Sequence, residues 1–422
     1  MKKFSLKILT FFLIFAFFPF SSKADDEDFE AGILWSNFYQ VLEVSSKSSE
    51  VPNINARHAI VLDRKSKLPI FGKSENEICK MASTTKIMTS LVVIENANLD
   101  DVVIISSNSA RIGGSRLGLS KNDKITVKNL LYGLMLKSGN DAAIALAEHV
   151  GGNIENFATM MNKKVKELNL KSTNFVTPHG LDDDRHFTTA YDLAILTDYA
   201  LQNSTFAEIV KTKTYTININ GYAKTISNTN ELLGNFEGLY GVKTGFTNGA
   251  NRCLVTSCKK KDLDVICVVL GCDTKKDRTK DSICLLNYIF NNFTLIDVKD
   301  IIVKNFDTWS LEHSDSFSIN KGRSQNLSLL LDENDFVFTN IAINKKDVEK
   351  INTDVSFFSY FEAPLSSNTK IGEIALRIND INYFSVDILN NNFVLKKNCF
   401  DYVLYIFKNY CSFFKTNFSI EQ

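Results

Sequence analysis

Apolar and polar positions alternate along this chain in blocks that set strands before helices. Ala56 to Asp63 and Leu68 to Gly72 are apolar runs of strand length, separated by the turn-like Arg64 to Lys67. Pro69, near the start of the second run, fits an edge strand or a strand entry. Behind Ser83, the residues Ile87, Met88, Leu91, Val92 and Ile94 recur at helical spacing, and serine is a favoured residue at a helix start. Leu130 to Leu136 and the alanine-rich Ala142 to Ala147 flank a polar insert, Lys137-Ser138-Gly139-Asn140-Asp141. That pattern predicts helix, tight turn, helix, with Asp141 near the second helix start. Asn174 to Leu181 reads as a loop, and His186 to Asp192 caps a helix running to Leu201. Two β-rich runs, Arg252 to Ser257 and Asp264 to Leu270, predict a hairpin in which Cys253 faces Cys272 and Cys258 faces Cys267. Asp281 to Phe290 predicts a helix that closes this part of the chain.

Beyond Phe293 the pattern shifts. Short strands such as Asp300 to Val303, Phe336 to Ile343 and Gly372 to Ile378 alternate with polar turns, and a separate all-β domain is expected over 294–395. Helical periodicity returns over 396–418, where Lys397, Asp401, Lys408, Ser412 and Lys415 form one narrow stripe. Aromatic and aliphatic residues cover the rest of that helix, as suits the membrane interface. A span is disfavoured because Lys408 interrupts the apolar run.

At the other end, Lys2, Lys3 and Lys7 precede the apolar run Ile8 to Phe20, and Ser22-Lys23-Ala24 offers small residues for cleavage before Asp25. This predicts a secretory leader over 1–24, followed by an acidic and Ser-rich tether over 25–52. The catalytic part is then 53–293. Length and charge add little: 422 residues suffice for two or three domains, and 48 basic residues balance 48 acidic ones. That balance gives no sign of a nucleic-acid partner. Export raises the question of the eight cysteines, for which packing as small hydrophobes is favoured over bridges. His179 and His186 lack flanking Cys or carboxylates at ligand spacing, so hydrogen bonding is favoured over a metal, and no cofactor is expected.

Three short motifs carry candidate chemistry. Ser83-Thr84-Thr85-Lys86 puts a hydroxyl and an amine three apart on one helical face, as a nucleophile and its base require. Ser138-Gly139-Asn140 and Lys243-Thr244-Gly245 follow at domain-scale spacing. Each alone is common; the three in this order are not.

With that set the chain resembles the low-molecular-mass penicillin-binding proteins, specifically the serine-type D-alanyl-D-alanine carboxypeptidases. The resemblance runs from about Asn55 to Phe293 and includes Gly114-Ser115-Arg116, Thr177 to Leu181, Asn228 to Leu233 and Tyr240 to Thr247. Ala363-Pro364-Leu365 and the terminal helix are similar to that family's β domain and membrane anchor. Two departures stand out: Met81 where proline is usual, and Asn251 where glycine is usual. The resemblance implies an α/β (α+β) catalytic domain of the penicillin-binding/β-lactamase type, with an antiparallel sheet flanked by helices and a helical subdomain. It implies Ser83 as nucleophile, Lys86 as base, and Ser138 and Asn140 as proton relay and substrate contacts. Lys243, Thr244 and Gly245 would line an edge strand, with Thr244 on the substrate carboxylate and the glycine admitting substrate backbone. The backbone amides of Ser83 and Phe246 would hold the oxyanion, and Arg278 matches a family arginine that binds carboxylate. For Lys86 to act as base it must be neutral, which burial, the helix N-terminus and Lys243 would favour. The implied partners are peptidoglycan stem peptides, β-lactams as inhibitors, and a membrane surface.

A class A β-lactamase would need a deacylating glutamate well before Lys243; Glu231 to Asn235 lies too close. An endopeptidase on cross-linked peptides uses the same motifs, and a peptidoglycan-binding scaffold would not need them intact.

Overall fold

The computed structural model describes residues 51–313 and 317–417, so the expected leader and nearly all of the tether lie outside the described residues. The chain begins with β1 (His58–Asp63) and β2 (Pro69–Lys73), makes one 3-10 turn at Ala82–Thr85 and enters α1 (Lys86–Asn96). A helical region follows: β3 (Val102–Ile104), α2 (Ser107–Arg111), β4 (Lys124–Thr126), α3 (Val127–Leu136), α4 (Asn140–Gly151), α5 (Ile154–Glu167), α6 (Ala190–Ala200) and α7 (Ser204–Lys211). After the hairpin β5 (Thr214–Ile219) and β6 (Tyr222–Ser227), the chain returns as β7 (Leu239–Thr247), β8 (Asn251–Lys260) and β9 (Leu263–Cys272), then closes with α8 (Lys275–Asn292).

Five strands form one antiparallel sheet in the order β2-β1-β9-β8-β7, with β2 and β7 at the edges. Pro69 therefore sits on an edge strand, where its missing N–H costs no ladder bond. The near-continuous apolar runs of β1, β8 and β9 arise because both faces of the sheet are covered. Ile60, Leu62, Cys253, Val255, Ile266 and Val268 point into the core shared with the helical region. Their alternates Ala59, Val61, Leu254, Val265, Cys267 and Val269 point into a second core under α8.

The β8–β9 hairpin is shifted from the expected register. Thr256 stands opposite Cys267, Cys258 opposite Val265, and Arg252 opposite Cys272. The cause is a two-residue turn between paired Lys260 and Leu263, with Lys261 at φ 53°, so the hairpin centre falls one residue earlier than its polar composition suggests. No cysteine faces another in that ladder, and Cys253, Cys258, Cys267 and Cys272 are all buried.

The second part departs from an all-β unit. β10 (Phe293–Asp297) leads into a 15-residue helix, α9 (Val298–Glu312), where a strand was expected at Asp300–Val303. Asp297 caps it by accepting from the Asp300 amide at 2.9 Å, and Val298, Ile302 and Phe306 bury one face at four-residue spacing. The apolar Ile301-Ile302-Val303 run hides this period when taken by itself. Then come β11 (Ser318–Asn320), β12 (Leu329–Leu331), β13 (Asn340–Asn344), β14 (Ile351–Phe357), β15 (Tyr360–Glu362), β16 (Thr369–Ile378) and β17 (Ile381–Asn390). Four of them form the sheet β12-β17-β16-β14. The strand expected from Phe336 starts only at Asn340, because Phe336 and Phe338 turn inward against Phe384. This part has its own core, drawn from residues between Val298 and Val394, and on that ground we propose 53–293 and 294–395 as separate domains. The last helix, α10 (Cys399–Asn417), leaves Phe400, Val403, Ile406 and Phe407 exposed. Among the described residues no helix is long and apolar enough to cross a membrane.

Candidate active site

Ser83 does not cap α1. It lies inside the 3-10 turn Ala82–Thr85, and Lys86 is the first residue of the helix. In a 3-10 turn, side chains at i and i+3 eclipse rather than merely share a face, which brings the two groups closer than an α-helix would. Lys86 Nζ stands 2.7 Å from Ser83 Oγ, 2.8 Å from Asn140 Oδ1 and 2.9 Å from the His179 carbonyl oxygen. Lys86 is fully buried and Ser83 is 9% exposed. Asn140 Oδ1 and the His179 carbonyl can only accept. Lys86 Nζ therefore donates to both of them, beside the serine hydroxyl.

The turn is held by its neighbours. Ala82, ahead of Ser83, has φ 49°, unusual for a residue with a side chain. Gly180, at φ 86°, fits beneath it: a Cβ there would lie 1.9 Å from the Ala82 carbonyl oxygen. Thr85 Oγ1 donates to that same carbonyl at 2.8 Å.

One wall of the site is the turn between α3 and α4. Asn140 Nδ2 donates to the Gly113 carbonyl at 2.7 Å, which fixes its amide with the oxygen toward Lys86. Asp141, buried beside it, accepts from the amides of Leu117, Gly118 and Leu119 and so pins the loop that carries Gly113. Ser138 has φ 58°, and its buried Oγ has no hydrogen-bond partner among the described residues.

The other wall is edge strand β7. Lys243 and Thr244 are each 1% exposed, and Lys243 Nζ donates to the Thr244 carbonyl at 2.8 Å. Gly245 faces the nucleophile: a Cβ there would come within 3.1 Å of both the Ser83 amide nitrogen and Ala82 Cβ. The close approach at this glycine is thus by the protein's own Ser83 segment. Phe246 is half-buried under the Arg252 guanidinium, 3.8 Å from its ring centre. Asn251, where the family has glycine, takes φ 57°, a region asparagine tolerates better than most residues.

Arg278 is held elsewhere. Its guanidinium is 1% exposed and makes two bonds to Glu231, at 2.7 and 2.9 Å. Thr279 also donates to that carboxylate. Burial alone would raise the Glu231 carboxyl, yet Arg278 and Thr279 hold it below its ordinary range. The pair anchors the loop 228–231, which touches both walls. Thr229 N donates to the Leu136 carbonyl at 3.1 Å, Thr229 Oγ1 shares a 2.7 Å bond with Thr244 Oγ1, and Asn230 Nδ2 donates to the Gly241 carbonyl at 3.0 Å. The arginine expected to bind substrate carboxylate thus braces the strand expected to do so.

Both histidines are built in as neutral rings. His186 Nδ1 accepts from the Val176 amide at 3.0 Å, leaving Nε2–H to donate to Thr85 Oγ1 at 2.7 Å. His179 Nδ1 accepts from the Leu181 amide at 3.1 Å. Burial pushes His179 down to about 3 and His186 down to about 4. The sequence pattern gives Asp141 no role beyond a helix start, and Gly180 and Thr229 no individual role, because their contacts span long separations. The turn chemistry at Ser138 to Asp141 was the only local signal.

Two outcomes follow from these contacts. Between pH 4 and 6.5 the unfolded histidines bind protons that the folded ones refuse, so stability rises with pH there and levels off above 6.5. Thermal melts from pH 7 down to pH 4 should show a falling midpoint, with a lower midpoint and a shallower slope in His186→Asn; an unchanged slope in the variant contradicts the neutral assignment. Arg278→Leu leaves the Glu231 charge without its arginine and should cost about 3 kcal/mol in chemical denaturation, the lower end for a buried pair because Glu231 keeps 18% exposure and its bond from Thr279. A loss under about 0.5 kcal/mol would show that the pair does not hold the loop.

A family model described as D-alanyl-D-alanine carboxypeptidase matches residues 45–274. The D-alanyl-D-alanine carboxypeptidase DacF of Bacillus subtilis (strain 168) is 31% identical over 337 residues, 78% of this chain and 83% of that protein. The crystal structure of penicillin binding protein 5 from Haemophilus influenzae is similar with a TM-score of 0.66 and 28% identity, covering 82% of this chain and 99% of that one. The D-alanyl-D-alanine carboxypeptidase DacD from Francisella tularensis shares the fold, with a TM-score of 0.69 at 23% identity over 83% of this chain and 96% of that one. With a serine and a lysine bonded between the α3–α4 turn and strand β7 of this fold, the chain belongs to the D-alanyl-D-alanine carboxypeptidase family of serine peptidases.

Proposed function

We propose that the protein removes the terminal D-alanine from peptidoglycan stem peptides through an acyl-enzyme on Ser83, the residue that penicillin also acylates. The observation that carries this is the setting of Lys86 Nζ, 2.7 Å from Ser83 Oγ with two pure acceptors behind it. Lys86 takes the Ser83 proton as Oγ attacks the carbonyl carbon of the penultimate D-alanine. The oxygen of that carbonyl gains charge, which the amides of Ser83 and Phe246 receive. Collapse breaks the peptide bond. The departing amine takes the proton from Lys86, with Ser138 Oγ as the relay, and D-alanine leaves. Water then attacks the ester, and Lys86 receives its proton and returns it to Ser83. Thr244 and Lys243 hold the terminal carboxylate, a hydroxyl and a cation suited to an anion. Gly245 keeps β7 close enough to Ser83 for the two amides to converge.

The site belongs on the outer face of the bacterial inner membrane. The basic, apolar leader supports export, and the exposed apolar residues of α10 support attachment to the membrane surface.

Labelled penicillin should form a stable adduct with wild type and none with Ser83→Ala. Lys86→Met should slow adduct formation by about 10²- to 10⁴-fold, the range for a lost general base. Equal labelling of wild type and Ser83→Ala would falsify the nucleophile assignment, and labelling without release of D-alanine from a D-Ala-D-Ala peptide would favour a scaffold. For the anchor, a chain ending at Leu395 should leave the membrane fraction on gentle washing; tight retention would place the attachment at the N-terminus instead.

A further inference from the structure

The short loop from His179 to Asp182 touches three parts of the site that come from three different elements. The His179 carbonyl receives Lys86 Nζ at 2.9 Å. Gly180 lies against the Ala82 carbonyl, beneath the turn that holds Ser83. Asp182 reaches across to the end of β7. Its Oδ1 accepts from Thr247 Oγ1 at 2.7 Å and its Oδ2 from the Gly249 amide at 2.9 Å. Thr247 Oγ1 in turn accepts from the Ala250 amide at 3.0 Å.

β7 is an edge strand paired only with β8, and its last paired residues are Phe246 and Thr247. Thr247 directly follows Phe246, whose amide is one of the two proposed oxyanion donors. An oxyanion site works only when its donors sit within about 2.7–3.1 Å of where charge develops. A strand end held from one side is poorly suited to that tolerance. A carboxylate that accepts two bonds is a strong fastener for it.

We infer that Asp182 is a positioning residue, a clamp that fixes the Phe246 amide relative to Ser83 by tying the end of β7 to the loop that holds Lys86. This rests on the assignment of Ser83 and the two amides made above. Asp182 touches no reacting atom; it acts through Thr247 and the β7–β8 turn.

The test is a time course of labelling with fluorescent penicillin on the full chain, recording separately the rate constant and the final fraction labelled. Asp182→Ala should lower the second-order rate constant about 10- to 100-fold, while nearly all molecules still become labelled. A merely structural role would instead lower the labelled fraction and leave the rate of the folded molecules alone. Thr247→Val should reproduce the slow labelling, and Thr247→Ser, which keeps the hydroxyl, should restore most of it. The double variant Asp182→Ala/Thr247→Val should be no slower than the worse single one, because both break the same clamp.

A wild-type rate constant in Asp182→Ala, at any final fraction, overturns the inference. So do equal rates for Thr247→Val and Thr247→Ser, a comparison that stands even if Asp182→Ala fails to fold. Wild type that takes no label overturns the Ser83 assignment and the clamp together, whereas labelled wild type with unaffected variants overturns the clamp alone.

Discussion

Everything in this molecule converges on one buried contact, the 2.7 Å approach of Lys86 Nζ to Ser83 Oγ. Putting an amine with no solvent exposure beside a hydroxyl is costly unless its other bonds are satisfied. Asn140 Oδ1 and the His179 carbonyl both accept from it and help meet that need. The contact then imposes geometry on the rest. It needs a 3-10 turn rather than an α-helical one, a left-handed Ala82 to enter that turn, and a glycine at position 180 to make room for it.

The two walls of the site come from separate parts of the fold, and the loop 228–231 ties one to the other. Asp141 holds the loop in front of Asn140 through three backbone amides, and the neutral ring of His186 holds Thr85. Behind the sheet, the Arg278–Glu231 pair steadies the loop whose Thr229 meets Thr244. Buried ionic and polar groups of this kind contribute little net stability and much uniqueness of position. A hydrolytic site built on distances of 2.8–2.9 Å between elements far apart in sequence requires that uniqueness.

Much of this was legible in the chain itself. The apolar alternation marked the strands of the main sheet, Pro69 marked an edge, and the polar break at Lys137 to Asp141 marked the turn between two helices. The motif order pointed to the serine and lysine. What the sequence did not show was partly local and partly long-range. The hairpin register turned on one left-handed residue, Lys261, and a helix at Val298–Glu312 was hidden by a run of β-branched residues. The role of Arg278 depended on a partner 47 residues away, and the reason for Gly245 on a neighbour from the other side of the cleft. Local pattern marks most element types; it carries no record of which buried polar group will meet which.

The central claim is that the serine bonded to Lys86, and no other buried hydroxyl, is the nucleophile. Proteolytic mapping of the penicillin adduct by mass spectrometry tests it most directly. The account predicts a single modified peptide with the added mass on Ser83. An adduct on Ser138, whose hydroxyl is buried and lacks a partner among the described residues, would contradict it.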